Sequence, residues 1–234
     1  MKKLAVLVAA AATVTLTPAA ASGVRAVPIQ RVRAGAAKNW AGYVAHGGPY
    51  TSTSASWTEP SITCGSSSSA LATFAGLDGA GSPTVEQIGT LDNCKSGRVT
   101  HQAFYEMFPR SAFRIANTVR AGDSLTATVV ATSKTTFTLS LVNHSQGWSF
   151  STKARQRKAQ LSSAEAIAEA PSMRGAGIVP LANFGTINFS SSANGQPLGN
   201  FGPEAVTMVG NGGVVKAAPT GISGGSFSVV WHHA

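Results

Sequence analysis

The strongest constraint on the fold is a two-residue alternation that restarts several times along the chain. From Ser124 to Thr132 the order Ser-Leu-Thr-Ala-Thr-Val-Val-Ala-Thr sets apolar side chains against hydroxyls, and after Ser133-Lys134 the pattern resumes through Asn143. A period of two puts successive side chains on opposite faces of an extended strand, so each run reads as a half-buried strand. Gly147-Trp148-Ser149-Phe150 extends these two runs into a meander. Further runs at 186–189, 205–209 and 227–231 are each bounded by Gly, Asn or Pro, as antiparallel strands are. The Ser-rich stretches 65–69 and 190–195 read as surface loops. The chain is therefore expected to be all-β and antiparallel.

Residues 1–21 have the layout of an export signal: Lys2 and Lys3, an apolar run from Leu4 to Leu16, then Ala19-Ala20-Ala21. The apolar run falls short of the roughly 20 residues a membrane span needs. A secreted protein with no membrane attachment after signal removal is expected. Residues 22–38 carry Arg25, Arg31, Arg33 and Lys38 with no acid, and read as a leader or short pro-segment outside the fold. This matters for charge. The full chain has 18 basic and 9 acidic residues, net +9; six of the basic residues precede Asn39, so residues 39–234 carry 12 against 9, or +3. The remaining basic cluster, Lys153, Arg155, Arg157 and Lys158, reads as a solvated loop, so no nucleic-acid partner is expected.

Residues 39–234 suit one domain with a sizeable core. In an exported chain, Cys64 and Cys94 read as one disulfide, contributing roughly 3–4 kcal/mol through loop closure. The five histidines show no ligand spacing, so neither a metal nor a cofactor is expected. No heptad or long apolar face is present, which favours a monomer.

Chemistry is concentrated in a few blocks. Phe74-Ala-Gly-Leu-Asp-Gly79 precedes Gln87-Ile88-Gly89, and Ala164-Glu-Ala-Ile-Ala-Glu169 leads into Val179-Pro-Leu-Ala-Asn-Phe184. Asn39-Trp-Ala-Gly42, Tyr105-Glu-Met-Phe-Pro109 and Ala121-Gly-Asp-Ser124 accompany them. In this order the blocks resemble the glutamic peptidases of the eqolisin family. The resemblance implies a β-sandwich of two large curved antiparallel sheets, like a concanavalin or jelly-roll fold. It implies polypeptide substrates and a secreted endopeptidase working at acidic pH. Propensity alone would make 160–170 a helix. The resemblance implies a strand, with Glu165, Ile167 and Glu169 on one face and Ala164, Ala166 and Ala168 on the other.

Two groups can hydrolyse a peptide without a metal: a base for water, and a donor for the oxygen that becomes negative. By the resemblance, Glu169 is base then acid, and Gln87 supplies the amide donor and holds the water. Glu165 is the competing carboxylate; its place in the block matches the family's non-catalytic first glutamate. Trp40, Asp78, Tyr105 and Glu106 are expected along the cleft. Phe74 and Met107 stand where the described fungal enzymes carry tryptophan, so the subsites are expected to differ. Gly221-Ile-Ser-Gly-Gly225 matches a nucleophile-elbow pattern, but no acid follows Ser223 in the chain, and it reads as a turn. The rival reading is a secreted, non-catalytic β-sandwich that binds carbohydrate or protein.

Overall fold

A computed structural model describes Val24–Arg25, residues 35–173 and residues 177–234. The expected signal and most of the expected leader lie outside these residues. Among the described residues, sixteen strands join in one sheet. Across it the main strands run Trp148–Arg155, Thr136–Asn143, Ser124–Ser133, Ser52–Thr58, Thr186–Ala193, Ser226–Trp231 and Val215–Pro219. It continues through Glu204–Val209, Trp40–His46, Ser163–Glu169, Ser69–Leu77, Val85–Lys95, Arg98–Phe108 and Phe113–Ile115. These neighbours pair antiparallel throughout.

The sheet curls so that its two halves face each other, the geometry of a β-sandwich. The meander shows why. Leu125, Ala127 and Val129 on one strand and Phe137, Leu139 and Leu141 on the next are fully buried, while the alternating Ser and Thr face outward. Opposite them stand Ala164, Ala166 and Ala168, with Tyr43, Leu71, Leu77 and Ile88, in the same core cluster. Each aliphatic side chain buried there contributes about 1.5–3 kcal/mol.

Residues 163–169 form a strand despite their helical propensity. They are hydrogen-bonded on both edges, to Trp40–His46 and to Ser69–Leu77, and fully buried on both faces. Tertiary pairing overrides propensity here. Two expectations are corrected. Residues 190–193 are not a loop but continue the Thr186–Ala193 strand, with Ser191 and Ala193 inward. Lys153 and Arg155 stand on the edge strand Trp148–Arg155 rather than in a loop, although exposed as expected. The expected leader is stitched to the domain at two points: Val24–Arg25 pairs with Ser172–Met173, and Ala36–Ala37 runs parallel to Thr207–Met208.

Cys64 and Cys94 form the disulfide, tying the segment before the Ser69–Leu77 strand to the next strand. Among the described residues no helix is long and apolar enough to cross a membrane.

Candidate active site

The strands Ser163–Glu169, Ser69–Leu77, Val85–Lys95 and Arg98–Phe108 lie side by side, and register decides which side chains meet. Glu165 pairs with Gly76, Gly76 with Gln87, and Gln87 with Glu106, so these four residues form one row. The next row holds Ile167, Phe74, Gly89 and Phe104, and the third holds Glu169, Ala72, Leu91 and Gln102. All three rows share the face turned away from the inter-sheet core. Trp40, Phe74 and Ile167 belong to a second apolar cluster on this face.

Two glycines shape the first row. A Cβ on Gly76 would lie 3.0 Å from Glu165 Oε1 and 3.5 Å from the Gln87 Cβ. The missing side chain thus leaves the gap across which Glu165 and Gln87 approach each other. At Gly79 the backbone N–H donates to Glu165 Oε1 at 2.8 Å. A Cβ there would come within 2.2 Å of the Trp40 ring. Trp40 closes over this turn and meets Phe74 edge to face at 5.5 Å.

Gln87 Nε2 donates to Glu106 Oε2 at 2.7 Å, which fixes the direction of the amide. Among the described residues Gln87 Oε1 and Glu165 Oε2 have no hydrogen-bond partner, although both side chains are fully buried. Buried polar atoms are rarely left so, and two in one row mark a place built for polar ligand atoms. Burial, opposed by the Gly79 N–H and Ser163 and aided by the Asp78 charge, pushes Glu165 up to about 7.

The structure does not bring Gln87 and Glu169 together. Glu169 stands two rows along and two strands over, about 16 Å from Gln87 between Cα atoms at ordinary strand spacings. Its Oε1 instead accepts the Asn39 Nδ2 hydrogen at 2.9 Å. Register places Glu165, not Glu169, in the row of Gln87.

The other expected cleft residues divide. Trp40 and Glu106 face the site. Tyr105 does not: adjacent strand residues point to opposite faces, and Tyr105 stacks on Phe113 and Phe150 in the inter-sheet core. Met107 is buried in the same core, so it forms no wall of the site. Asp78 is a clamp rather than a cleft wall. Its carboxylate accepts the backbone N–H groups of Gln160, Leu161 and Ser162 at 2.7, 2.8 and 2.7 Å. Burial and then the Asp78 charge push neighbouring Glu86 up to about 9.

One cluster is missed by the sequence reading. Between the sheets, His101 Nδ1 lies 2.7 Å from Asp92 Oδ1 and 3.7 Å from Glu59 Oε1. Glu59 Oε2 accepts hydrogens from Trp57 Nε1 and Thr90 Oγ1. Hydrogen bonding of the ring N–H to Asp92 and Glu59 raises His101 to about 10, and burial first, then the Glu59 charge, raises Asp92. Three potential metal-binding groups thus converge, but protonated His101 already compensates the carboxylates. The one sequence signal was the turn Ser96-Gly97, about which Asp92 and His101 stand symmetrically.

Comparison with known proteins identifies the family and the fold. The sequence pattern described as the Peptidase A4 family matches residues 38–230. Aspergillopepsin-2 of Aspergillus niger is 28% identical over 220 residues, covering 82% of this chain and 77% of that protein. The fold is similar to scytalido-glutamic peptidase, solved with a transition state analog inhibitor. That likeness has TM-score 0.72 and 25% identity, and covers 83% of this chain and 98% of that one. The fold also matches aspergilloglutamic peptidase from Aspergillus niger, with TM-score 0.60, 24% identity, and coverage of 70% and 99%.

Proposed function

Since the chain belongs to the Peptidase A4 family and is a glutamic endopeptidase, we propose that Gln87 and Glu165 form its hydrolytic pair. The observation that carries this reading is the row Glu165–Gly76–Gln87–Glu106, with an unpartnered oxygen on each side of the glycine gap. Ionised Glu165 takes a proton from a water molecule held between its Oε2 and Gln87 Oε1. As that water attacks the peptide carbonyl, the carbonyl oxygen gains negative charge. One Gln87 N–H is committed to Glu106; the other is free to stabilise this oxygen. Protonated Glu165 then returns its proton to the departing nitrogen, and the C–N bond breaks. Glu169 holds Asn39, and through it the start of the Trp40 strand, at the border of the site.

A base raised to about 7 works better as pH climbs towards neutrality. The buried acids act oppositely on stability, because Glu86 and Glu165 hold their protons more tightly when folded. Together these favour a weakly acidic working range. The disulfide fits an oxidising compartment, and we infer export and a monomeric enzyme.

The test is cleavage of denatured casein by the purified protein between pH 2 and 7. Activity is expected to resist serine, cysteine and metal-directed inhibitors. Glu165→Gln and Gln87→Ala should each abolish it in folded protein, whereas Glu169→Gln should retain most of it. Loss in Glu169→Gln with retention in Glu165→Gln would return the role to Glu169.

A further inference from the structure

The Gln87 face does not end at the third row. Below Leu91 and Gln102 the same face carries Asn93 and Thr100, and then Lys95 and Arg98, which pair directly across the hairpin. A groove of about 840 Å³ covers this stretch; Ser69, Met173 and Pro180 form its other side. It begins four residues from Gln87 and ends at the cation pair eight residues away, a span of about 13 to 26 Å at ordinary strand rise.

Two observations give the groove a polarity. Like charges directly opposite each other weaken a sheet, and among the described residues no carboxylate lies within 4.0 Å of Lys95 or Arg98. Among the described residues the two cations stand side by side with no carboxylate paired to them, and the groove lining contains no acid. The second concerns the whole domain. All nine acidic residues lie among the described residues; eight are buried, and only Glu204 is partly exposed. The formal +3 of residues 39–234 therefore understates the positive exterior, and Glu86, raised to about 9 by burial, adds no negative charge in acid. Such a field concentrates anions at the groove mouth.

We propose that this groove is an extended substrate subsite that selects polypeptides carrying an acidic side chain about four to eight residues from the scissile bond, with Lys95 and Arg98 as its specificity residues. The proposal rests on the peptidase reading above. It deepens that reading by naming the substrate class, and adds no step to the chemistry.

The experiment uses fluorogenic peptides built on one casein-derived cleavage sequence. A cysteic acid, whose sulfonate stays ionised throughout the acid range, is walked outward from the third to the ninth position on each side of the cut. Matched series carry alanine or lysine instead. On one side only, and within that window, the cysteic acid peptide should exceed its alanine counterpart at least tenfold in kcat/KM. The gain should lie mainly in KM and shrink between 20 and 500 mM salt. The double substitution Lys95→Glu with Arg98→Glu should invert the preference towards lysine peptides; exchange of Lys95→Arg with Arg98→Lys should keep it. Equal kcat/KM for all three series at every position, with the peptides still cleaved, overturns the subsite and leaves the peptidase standing. If neither peptides nor casein are cut, the peptidase reading falls first and takes the subsite with it.

Discussion

The hairpin of Val85–Lys95 and Arg98–Phe108 carries acids on both faces, and the two faces treat them differently. On the inner face Asp92 meets His101, and Glu59 is held by an indole and a hydroxyl. On the outer face Gln87 is oriented by Glu106, but Gln87 and Glu165 each keep one oxygen without a partner across Gly76. Both clusters are buried. The inner one is neutralised by its own histidine, and closing it stabilises the domain. The outer one sets an amide oxygen and a carboxylate oxygen on either side of a glycine gap, and that gap is what a reaction can use. Burial, a raised acid and carboxylate oxygens without a hydrogen-bond partner are common to both; the histidine beside the inner carboxylates and the glycine gap of the outer row distinguish them.

The largest effects should separate the two faces. Glu165→Gln and Gln87→Ala are expected to lower kcat by at least a hundredfold, about 2.7 kcal/mol or more of transition-state stabilisation, with little change in unfolding temperature. His101→Ala should do the reverse: a loss of about 2–3 kcal/mol of stability by denaturant titration, with activity per folded molecule kept. Inactive but folded His101→Ala would break the distinction.

The pH dependence of stability comes next, and its sign is fixed by raised proton affinities. Glu86 near 9, Glu165 near 7 and His101 near 10 all bind protons more tightly in the folded chain. The support they give is complete below their unfolded values. It fades for Glu165 as pH rises from about 4.5 through 7, for Glu86 from about 4.5 through 9, and for His101 from about 6.5 through 10. Unfolding free energy should therefore fall as pH rises from 5 to 9. Glu86→Gln should flatten that fall by about 1–3 kcal/mol, and a slope unchanged in this variant would remove Glu86 from the account. Gly76→Ala, which places a methyl 3.0 Å from Glu165 Oε1, should lower kcat/KM about tenfold, or 1.4 kcal/mol, in a folded enzyme. The smallest change is expected for Glu169→Gln, less than about tenfold in kcat/KM.

How far the sequence could be read follows from what period two encodes. It places Leu125, Ala127 and Val129 inward, and it puts Glu165, Ile167 and Glu169 on one face, as found. It cannot say which of two glutamates on that face stands opposite Gln87. That depends on register against Ser69–Leu77, which is set by contacts distant in sequence. Tyr105 and Glu106 are neighbours on one strand, so the same period allows only one of them to line the site. Serines 190–192 resembled a loop by composition, but the pairing strands on either side make them part of a sheet.

Asp78 gives that register a mechanical guarantee. Its carboxylate fastens the end of the strand bearing Gly76 to three consecutive amides just ahead of the strand bearing Glu165. A slip by one residue would present Ala164 or Ala166 to Gln87 and turn both glutamates into the hydrocarbon interior. One side chain that never touches the reacting bond thus keeps the reading frame of the site, as an indexing pin holds two sliding plates in the only alignment that works.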